Sequence, residues 1–397
     1  MRDFTGVEFP TIKISNLETV ETVRSSSQPD EPDASYPVSR RRFLSSLLPA
    51  VASFHSAPLL LKYFQGERGL LAEAAELSRE AVSVDFHCHP NSVGGPHFPE
   101  IDPDLPANMR AGDLDVGVFA ARGDLGVIRR DSSGRRYEYR KAAPAELFRG
   151  CQEQVDKIIE ATKTGKLAIG RSPGEIVDAK RQGLPCAVLA IEGGDPLEGE
   201  LSRLDFFYQR GVRVLQLVHY RINELGDIQT EPPRHKGLTA FGRQVAKEMN
   251  RLGMVIDTAH CSSDTLNDVL TESRRPVIFS HTGPHALRRF KRHLPDKDMQ
   301  AIARKGGVIG IWPLLGRRDT FATFLNEIDY AKNLVGADHV GVATDLYGLR
   351  DATSIPTHKE FSLIPAGLLK RGYAANDVAK IIGENFMRVF REVTLGR

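Results

Sequence analysis

The chain has 397 residues, of which 41% are hydrophobic and 26% are charged, as expected of a globular protein with a sizeable core. Its 53 Lys and Arg residues nearly balance its 51 Asp and Glu residues. The sequence therefore carries no broad basic field, which argues against nucleic acid as a partner. The four cysteines form no C-x-x-C pair and are too scattered for a disulfide scaffold. We expect them to be reduced and mostly buried, although Cys151 and Cys186 could pair in an oxidising compartment.

The first eighty residues differ in composition from the rest of the chain. Residues 1–38 contain several prolines and a serine run, show no apolar period, and are predicted to be a disordered leader. Residues 39–75 begin with three arginines before Phe43-Leu44 and a moderately apolar run, a pattern typical of a twin-arginine export signal. A small-residue cleavage motif follows at 72–74. The pattern favours export to the periplasm; the alternative is a basic turn before an ordinary helix of a cytoplasmic protein.

From residue 80 to 397, short apolar runs alternate with longer stretches of helical spacing. Continuous apolar runs of this length are typical of strands buried on both faces. Eight runs are predicted as strands: Val82–His87, Leu114–Ala121, Cys186–Glu192, Val212–Val218, Met254–His260, Pro276–His281, Gly307–Ile311 and Val340–Asp345. Their alternation with helices predicts an α/β fold, a (β/α)8 TIM-type barrel. An open doubly wound sheet is the alternative, but no nucleotide-binding glycine motif follows a strand.

Three details of the connections can be read from the sequence. Thr239 is a predicted N-cap and Gly253 a predicted stop for one helix. Asn376 is the predicted cap of the last apolar helical stretch. Residues 129–150, with seven Arg and Lys residues, are predicted to form a charged surface insertion between the second and third strands.

Histidines and acids recur at the carboxyl ends of the predicted strands. They are His87, His89, Glu192, His219, His260, His281 and Asp345. One histidine at a strand end is usually structural, but barrel strands converge on one mouth, so this recurrence indicates a shared site. Imidazole and carboxylate are ordinary zinc ligands, and the set suits two zinc ions. Asp85 and Asp257 precede ligand histidines and are expected either to orient imidazoles or to form structural salt bridges.

These residues lie in segments that resemble the membrane (renal) dipeptidase family of zinc peptidases, within the amidohydrolase-like superfamily. Among them are Val84–His89, Ala190–Gly194, Arg251–Ser262 and Gly383–Phe390, which follow one another in the family's order. The resemblance covers roughly residues 82–392. It implies a barrel enzyme that binds two zinc ions and hydrolyses the amide bond of a dipeptide by a metal-bridging hydroxide. It also implies a homodimer, since similar enzymes are often dimers.

The resemblance further implies a role for each site residue. His87 and His89 are expected at the first zinc ion, His260 and His281 at the second, and Glu192 between them. His219 is expected to contact the substrate carbonyl and steady the tetrahedral intermediate.

Arg292 is expected to bind the substrate's free carboxylate, and Asp345 to shuttle the proton. Without the resemblance, Arg292 would be interpreted as a solvated loop arginine. The chain departs from the family at His89, where the family has Asp, and at Tyr347, where it has a second acid. His89 makes the site one charge unit more positive, which should acidify the bridging water or change the preferred metal.

Other functions fit the same residues, because barrel and metals do not determine the substrate. One alternative is a related amidohydrolase that acts on N-acyl amino acids, lactones or phosphoesters. Arg292 distinguishes a dipeptidase from a lactonase, because a dipeptidase needs an anchor for the substrate carboxylate and a lactonase does not. A second alternative is an inactive metal-binding module. Asp345 argues against it, because a pure binder needs no proton shuttle.

Overall fold

The structure is a computed structural model that describes residues 63–91, 101–132, 134–314, 316, 319–349 and 352–396. The predicted leader and the arginines of the predicted export signal lie outside these residues. Within the described ranges, none of the helices combines the length and apolar character that a membrane span requires.

The strands are β1 (Val84–Cys88), β2 (Val116–Arg122), β3 (Ile128–Arg130), β4 (Arg136–Glu138), β5 (Ala168–Ile169), β6 (Cys186–Glu192), β7 (Val212–Gln216), β8 (Val255–Asp257), β9 (Ile278–Thr282), β10 (Val308–Ile311) and β11 (Val340–Val342). Eight of them are parallel and form a barrel in the spatial order β1-β2-β6-β7-β8-β9-β10-β11, and β5 pairs with β6. The Asp345 amide donates to the His87 carbonyl (2.9 Å) and the His89 amide to the Leu346 carbonyl (3.1 Å), which links the end of β11 to β1. The predicted (β/α)8 barrel is confirmed, and each predicted strand overlaps an observed one.

Helices surround the barrel. They are α1 (Arg68–Glu80), α2 (Leu105–Ala111), α3 (Glu146–Thr162), α4 (Pro173–Arg181), α5 (Ser202–Gln209), α6 (Ala240–Leu252), α7 (Ser263–Glu272), α8 (Asp296–Arg304), α9 (Phe321–Val335), α10 (Leu363–Lys370), α11 (Ala375–Ala379) and α12 (Asn385–Leu395). Short 3-10 turns span Asp195–Leu197, Ala337–His339 and His358–Ser362, and a π-helical turn, Lys380–Glu384, joins α11 to α12.

The helix boundaries test the predicted caps. The Thr239 hydroxyl accepts a hydrogen bond from the Gly242 amide (2.9 Å), and Gly253 ends α6 in the left-handed region at φ 78°. Both predictions for this helix are confirmed. The predicted cap at Asn376 is wrong: α11 begins one residue earlier and follows Ala374, whose extended backbone ends the preceding segment without a side-chain cap.

Apolar side chains fill the part of the barrel away from the strand ends. One buried cluster takes side chains from β1, β2 and β6 through β10, together with Ala343 directly after β11. Phe386 and Phe390 of α12 belong to the same cluster. Gly383, in the π-helical turn, faces the Val82 carbonyl before β1, so this packing lies at the amino end of the strands. Polar residues occupy the carboxyl ends of the strands.

The charged insertion is only partly a surface feature. It contains the antiparallel hairpin β3–β4 and the start of α3. Arg221, after β7, donates to Glu138 (3.2 Å), and Arg136 donates to the Gly348 carbonyl (3.3 Å). These bonds hold the hairpin across the mouth of the barrel, so Arg136 lies near the carboxyl ends of the strands. The sequence alone did not place Arg136 there.

The four cysteines, Cys88, Cys151, Cys186 and Cys261, are free and buried, as expected.

The predicted cleavage motif at 72–74 lies inside helix α1, whose Ala74 is buried. Lys370, which ends α10, pairs with Glu67 at the start of α1 (3.3 Å).

Candidate active site

The structure brings the seven predicted strand-end residues together at one mouth of the barrel. His87 and His281 lie within β1 and β9, and Glu192 ends β6. The others follow their strands by one to three residues. All seven are buried: His87, His89, Glu192, His219, His260, His281 and Asp345.

Glu192 lies at the centre of this cluster. Its Oε1 is 3.4, 3.5 and 3.8 Å from the Nε2 atoms of His87, His260 and His281, and its Oε2 is 3.3 and 3.6 Å from those of His219 and His89. Asp345 Oδ1 lies 3.6 Å from His89 Nε2 and 4.0 Å from His87 Nε2. Each carboxylate oxygen of Glu192 therefore faces a different group of imidazoles.

The spacing of these donors fits metal ions. The Nε2 atoms of His260 and His281 are 3.1 Å apart, close to the roughly 3.3 Å that tetrahedral ligands of one zinc take up with bonds of about 2.0–2.1 Å. His87 Nε2 and Glu192 Oε2 are buried with no hydrogen-bond partner among the described residues. Buried polar atoms are normally satisfied, so these atoms have the geometry of ligands that face a cation.

Hydrogen bonds to the Nδ1 atoms of three of these histidines direct their Nε2 atoms toward Glu192. His89 Nδ1 donates to the Ala120 carbonyl (3.0 Å). His219 Nδ1 lies 2.8 Å from Asp124, and His281 Nδ1 lies 2.9 Å from the Ser280 hydroxyl. Such outer contacts fix the tautomer and the direction of metal-binding imidazoles.

Burial and charge set the protonation of the cluster. Burial alone would raise the pKa of Glu192, but the charges of His219 and His87 outweigh it and hold that pKa well below its usual value. Burial, helped by Arg292, lowers the pKa of His260 and of His281 well below the ordinary value. Both rings therefore stay neutral, the form in which histidine binds metal.

His87 behaves differently from these two histidines. Burial lowers its pKa, but the charges of Glu192 and Asp345 outweigh burial and raise that pKa to about 9. An ion that binds at His87 must therefore displace a proton.

Two residues of the cluster have strained backbones. His260 and Asp345 have φ angles of 67° and 44°, in the left-handed region that non-glycine residues seldom occupy. Each such residue costs on the order of 1 kcal/mol and persists where the surrounding structure holds it. The strain aims both side chains into the mouth of the barrel.

The residue type of Arg292 alone suggests a solvated loop residue, but its side chain is buried in the structure. It is 1% exposed, and its guanidinium carbon lies 5.4 Å from the Trp312 ring. Its Nη1 donates to Gln229, while Nε and Nη2 have no partner among the described residues. A buried guanidinium with free donors is suited to bind an anion.

Asp85 and Asp257 do not orient the imidazoles of the cluster. Asp85 accepts from His358 Nε2 (2.9 Å) and from the Thr344 amide (2.8 Å). Asp257 accepts from the backbone amides of Ala259 (2.9 Å) and Ser280 (3.0 Å). Both carboxylates instead fix the backbone of segments that carry site residues.

The cavity above the cluster has a volume of about 270 Å³ and is lined by several residues that the sequence analysis missed. They include Arg122, Arg136 and Tyr220. Arg122 continues the inward alternation of Val116, Val118 and Ala120, a signal that could have identified it.

Comparisons with known proteins identify relatives of this chain. The model of the membrane dipeptidase family (peptidase family M19) matches residues 72–396. Dipeptidase tcpJ of Claviceps purpurea is 32% identical over 257 residues, which is 61% of this chain and 59% of that protein. Dipeptidase verJ of Clonostachys rogersoniana is 29% identical over 259 residues, 63% of this chain and 67% of that protein. The chain thus spans about three fifths of the length of the first of these relatives.

Solved structures share the fold. The probable dipeptidase PvdM from Pseudomonas aeruginosa has a TM-score of 0.70 at 22% identity and covers 83% of this chain and 100% of that one. A metallo peptidase from Rhodobacter sphaeroides, solved with a phosphinate mimic of the dipeptide L-Ala-D-Ala, has a TM-score of 0.68 at 19% identity, with 79% and 99% covered. Because the family model matches most of the chain, and the barrel with its strand-end cluster agrees with it, the protein belongs to the membrane dipeptidase family, peptidase family M19.

Proposed function

We propose that this protein is a zinc-dependent dipeptidase that hydrolyses the amide bond of dipeptides. The observation that carries the proposal is Glu192, buried at the centre of the cluster with imidazole nitrogens around both of its oxygens. The position of the buried Arg292, with donors left over for an anion, supports a substrate that ends in a free carboxylate.

We assign His87, His89 and Glu192 to one zinc ion and Glu192, His260 and His281 to a second. The distances of 3.1–3.8 Å among these donor atoms support metal binding, and the family resemblance supports the division into these two sets. Two divalent ions held there would lower the pKa of a water molecule between them and polarise the scissile carbonyl.

Asp345 is suited to move the proton. Its carboxylate lines the cavity and lies 3.6 Å from His89, one of the residues that would hold a metal ion. The water oxygen adds to the carbonyl carbon, Asp345 takes the water's proton, and the proton passes to the nitrogen as the C–N bond breaks.

His219 is suited to stabilise the negative charge that develops on the carbonyl oxygen. Asp124 holds its Nδ1 at 2.8 Å, which directs Nε2 into the cavity. When the ring is protonated, Nε2–H donates to the developing oxyanion. One such donor is typically worth about 3–4 kcal/mol of barrier.

The activity test compares substrates that differ only in the carboxylate. Zinc-loaded full-length protein should hydrolyse L-Ala-L-Ala and L-Ala-D-Ala but not the corresponding C-terminal amides. Arg292→Met should lower kcat/KM by about 100-fold, because a charged anchor that positions the substrate is lost. The exposed neighbour Arg289, changed to Met, is the matched control and should behave as wild type.

Two results would contradict the proposal. One is equal turnover of a dipeptide and its amide. The other is a fully zinc-loaded protein that cleaves no dipeptide, whether or not it cleaves N-acyl amino acids, lactones or phosphoesters.

We also propose export through the twin-arginine pathway, on the strength of the sequence at 39–44. Changing Arg40 and Arg41 to Lys should leave the full-length protein in the cytoplasm of a bacterial host, as cell fractionation would show. Equal periplasmic amounts of both forms would contradict this part of the proposal.

A further inference from the structure

Arg122 is a charged side chain placed directly beside the central carboxylate of the site. It ends β2, and its Cα partner in the neighbouring strand is Glu192. The Gln154 side chain fixes the backbone at this point, because its amide oxygen accepts from the Arg122 amide (2.8 Å) and its nitrogen donates to the Arg122 carbonyl (2.9 Å). The arginine is therefore held at the edge of the cavity that it lines.

The guanidinium of Arg122 keeps one buried donor free. Across the part of the chain that the structure describes, it forms no ion pair, and its buried Nε has no hydrogen-bond partner. An arginine that served only to neutralise the acids of the site would be expected to pair with one of them. Burying an unused N–H donor of a guanidinium is costly, so such a donor is characteristic of a ligand site.

Arg136 brings a second guanidinium to the same cavity. It comes from β4 of the inserted hairpin, lies 4.9 Å from the centre of the Tyr220 ring and donates to the Gly348 carbonyl (3.3 Å). The two cations repel each other, and Glu192 and Asp345 offset this repulsion without forming an ion pair with either guanidinium among the described residues. A carboxylate can bind two such groups through its two oxygens.

Arg122 and Arg292 lie on opposite sides of the barrel mouth. In the strand order, β2 and β9 are separated by three strands in either direction. The backbone carbonyl of Arg292 is bound by the Thr282 hydroxyl (2.9 Å) at the end of β9, and Arg122 ends β2. A dipeptide whose C-terminal carboxylate lies at Arg292 therefore extends its amino-terminal residue toward β2.

We propose that Arg122 and Arg136 form a second anion-binding subsite that selects dipeptides with an acidic side chain on the amino-terminal residue. This inference rests on the proposed dipeptidase function and adds the substrate class. The side-chain carboxylate of an amino-terminal Asp or Glu binds between the two guanidinium groups, while Asp345 remains available to the reacting water and the amine.

Isosteric substrates test the subsite directly. We expect zinc-loaded full-length protein to hydrolyse Glu-Ala with a kcat/KM about 10- to 100-fold above that for Gln-Ala, the range of one charge-assisted hydrogen bond. Ala-Glu and Ala-Gln should differ by less than about threefold. Arg122→Met and, separately, Arg136→Met should each reduce the Glu-Ala to Gln-Ala ratio toward one. The exposed Arg135 of the same hairpin, changed to Met, is the matched control and should keep the wild-type ratio.

Each outcome bears on one proposal or on both. Equal rates for Glu-Ala and Gln-Ala, or an undiminished ratio in both Met variants when they are folded and zinc-loaded, overturn the subsite while leaving the dipeptidase function intact. A preference for Ala-Glu over Ala-Gln in place of the amino-terminal preference also overturns it. Absence of hydrolysis for all four dipeptides at full zinc loading overturns both proposals.

Discussion

The contact between Asp124 and His219 offers a sharp test of how the site works. Asp124 is 1% exposed, and its two oxygens accept from His219 Nδ1 (2.8 Å) and from the Tyr220 amide (3.2 Å). Burial raises the pKa of Asp124, but the charge of His219 outweighs burial and the net shift is downward, so the carboxylate is ionised. Asp124→Asn keeps the shape of the side chain and removes the negative charge that lies against His219 Nδ1.

The expected magnitude follows from the bond that is changed. A hydrogen bond to a charged group contributes about 1.5–3 kcal/mol, which corresponds to roughly 10- to 150-fold in rate when it acts in the transition state. Loss of a partner that orients a site imidazole typically costs about 10- to 100-fold. We therefore expect kcat for Ala-Ala to fall about 10- to 100-fold, with a much smaller change in KM.

The assay is steady-state hydrolysis of Ala-Ala by zinc-loaded protein, with zinc content and thermal unfolding measured on the same samples. Asp178→Asn, which changes a carboxylate that is 66% exposed on α4, is the matched control and should retain wild-type kinetics. A kcat within about threefold of wild type for Asp124→Asn would refute the role given to His219 and its partner.

Three further predictions address stability. Burial raises the pKa of Glu327 to about 7, so the folded protein holds this proton more tightly than the unfolded chain and loses stability as pH rises from about 4.5 to 7. In urea unfolding, Glu327→Gln should remove up to about 3 kcal/mol of that loss. The prediction is contradicted if the free energies of unfolding of wild type and variant change with pH in parallel. Chelation of the metals should lower the thermal midpoint by about 5 °C or more and zinc should restore it; an unchanged midpoint would argue against bound metal. Gly310→Ala places Cβ 1.8 Å from the Ser280 carbonyl oxygen and should cost about 2 kcal/mol or more, whereas Gly150→Ala, which meets no neighbour, should not destabilise.

The barrel and most of the cluster could be predicted because both follow from local patterns. Strands buried on both faces are continuous apolar runs, and a barrel gathers whatever follows each run at one mouth. His87, Glu192 and His281 could therefore be grouped without any knowledge of distances. The Thr239 cap and the Gly253 stop were equally local, since each depends on one side chain and its own backbone.

The features that were missed depend on contacts between distant segments. Asp85 pairs with His358, 273 residues further along the chain, and no local period indicates that pair. Arg136 lies in an insertion whose charge alone favours solvent, and only the bonds that fasten the hairpin turn it toward the site. Arg292 could be named as a candidate only through the family resemblance, because its residue type in a basic loop gives no sign of burial.

A zinc titration of metal-free full-length protein tests the central claim most directly. Hydrolysis of Ala-Ala is followed while zinc is added, and bound zinc is measured in parallel. We predict that activity rises to a plateau at about two equivalents of bound zinc, because the proposed assignment divides the cluster into two ligand sets that share Glu192. A plateau at one equivalent would contradict the binuclear site, and an inactive protein with two bound zinc ions would contradict the proposed dipeptidase.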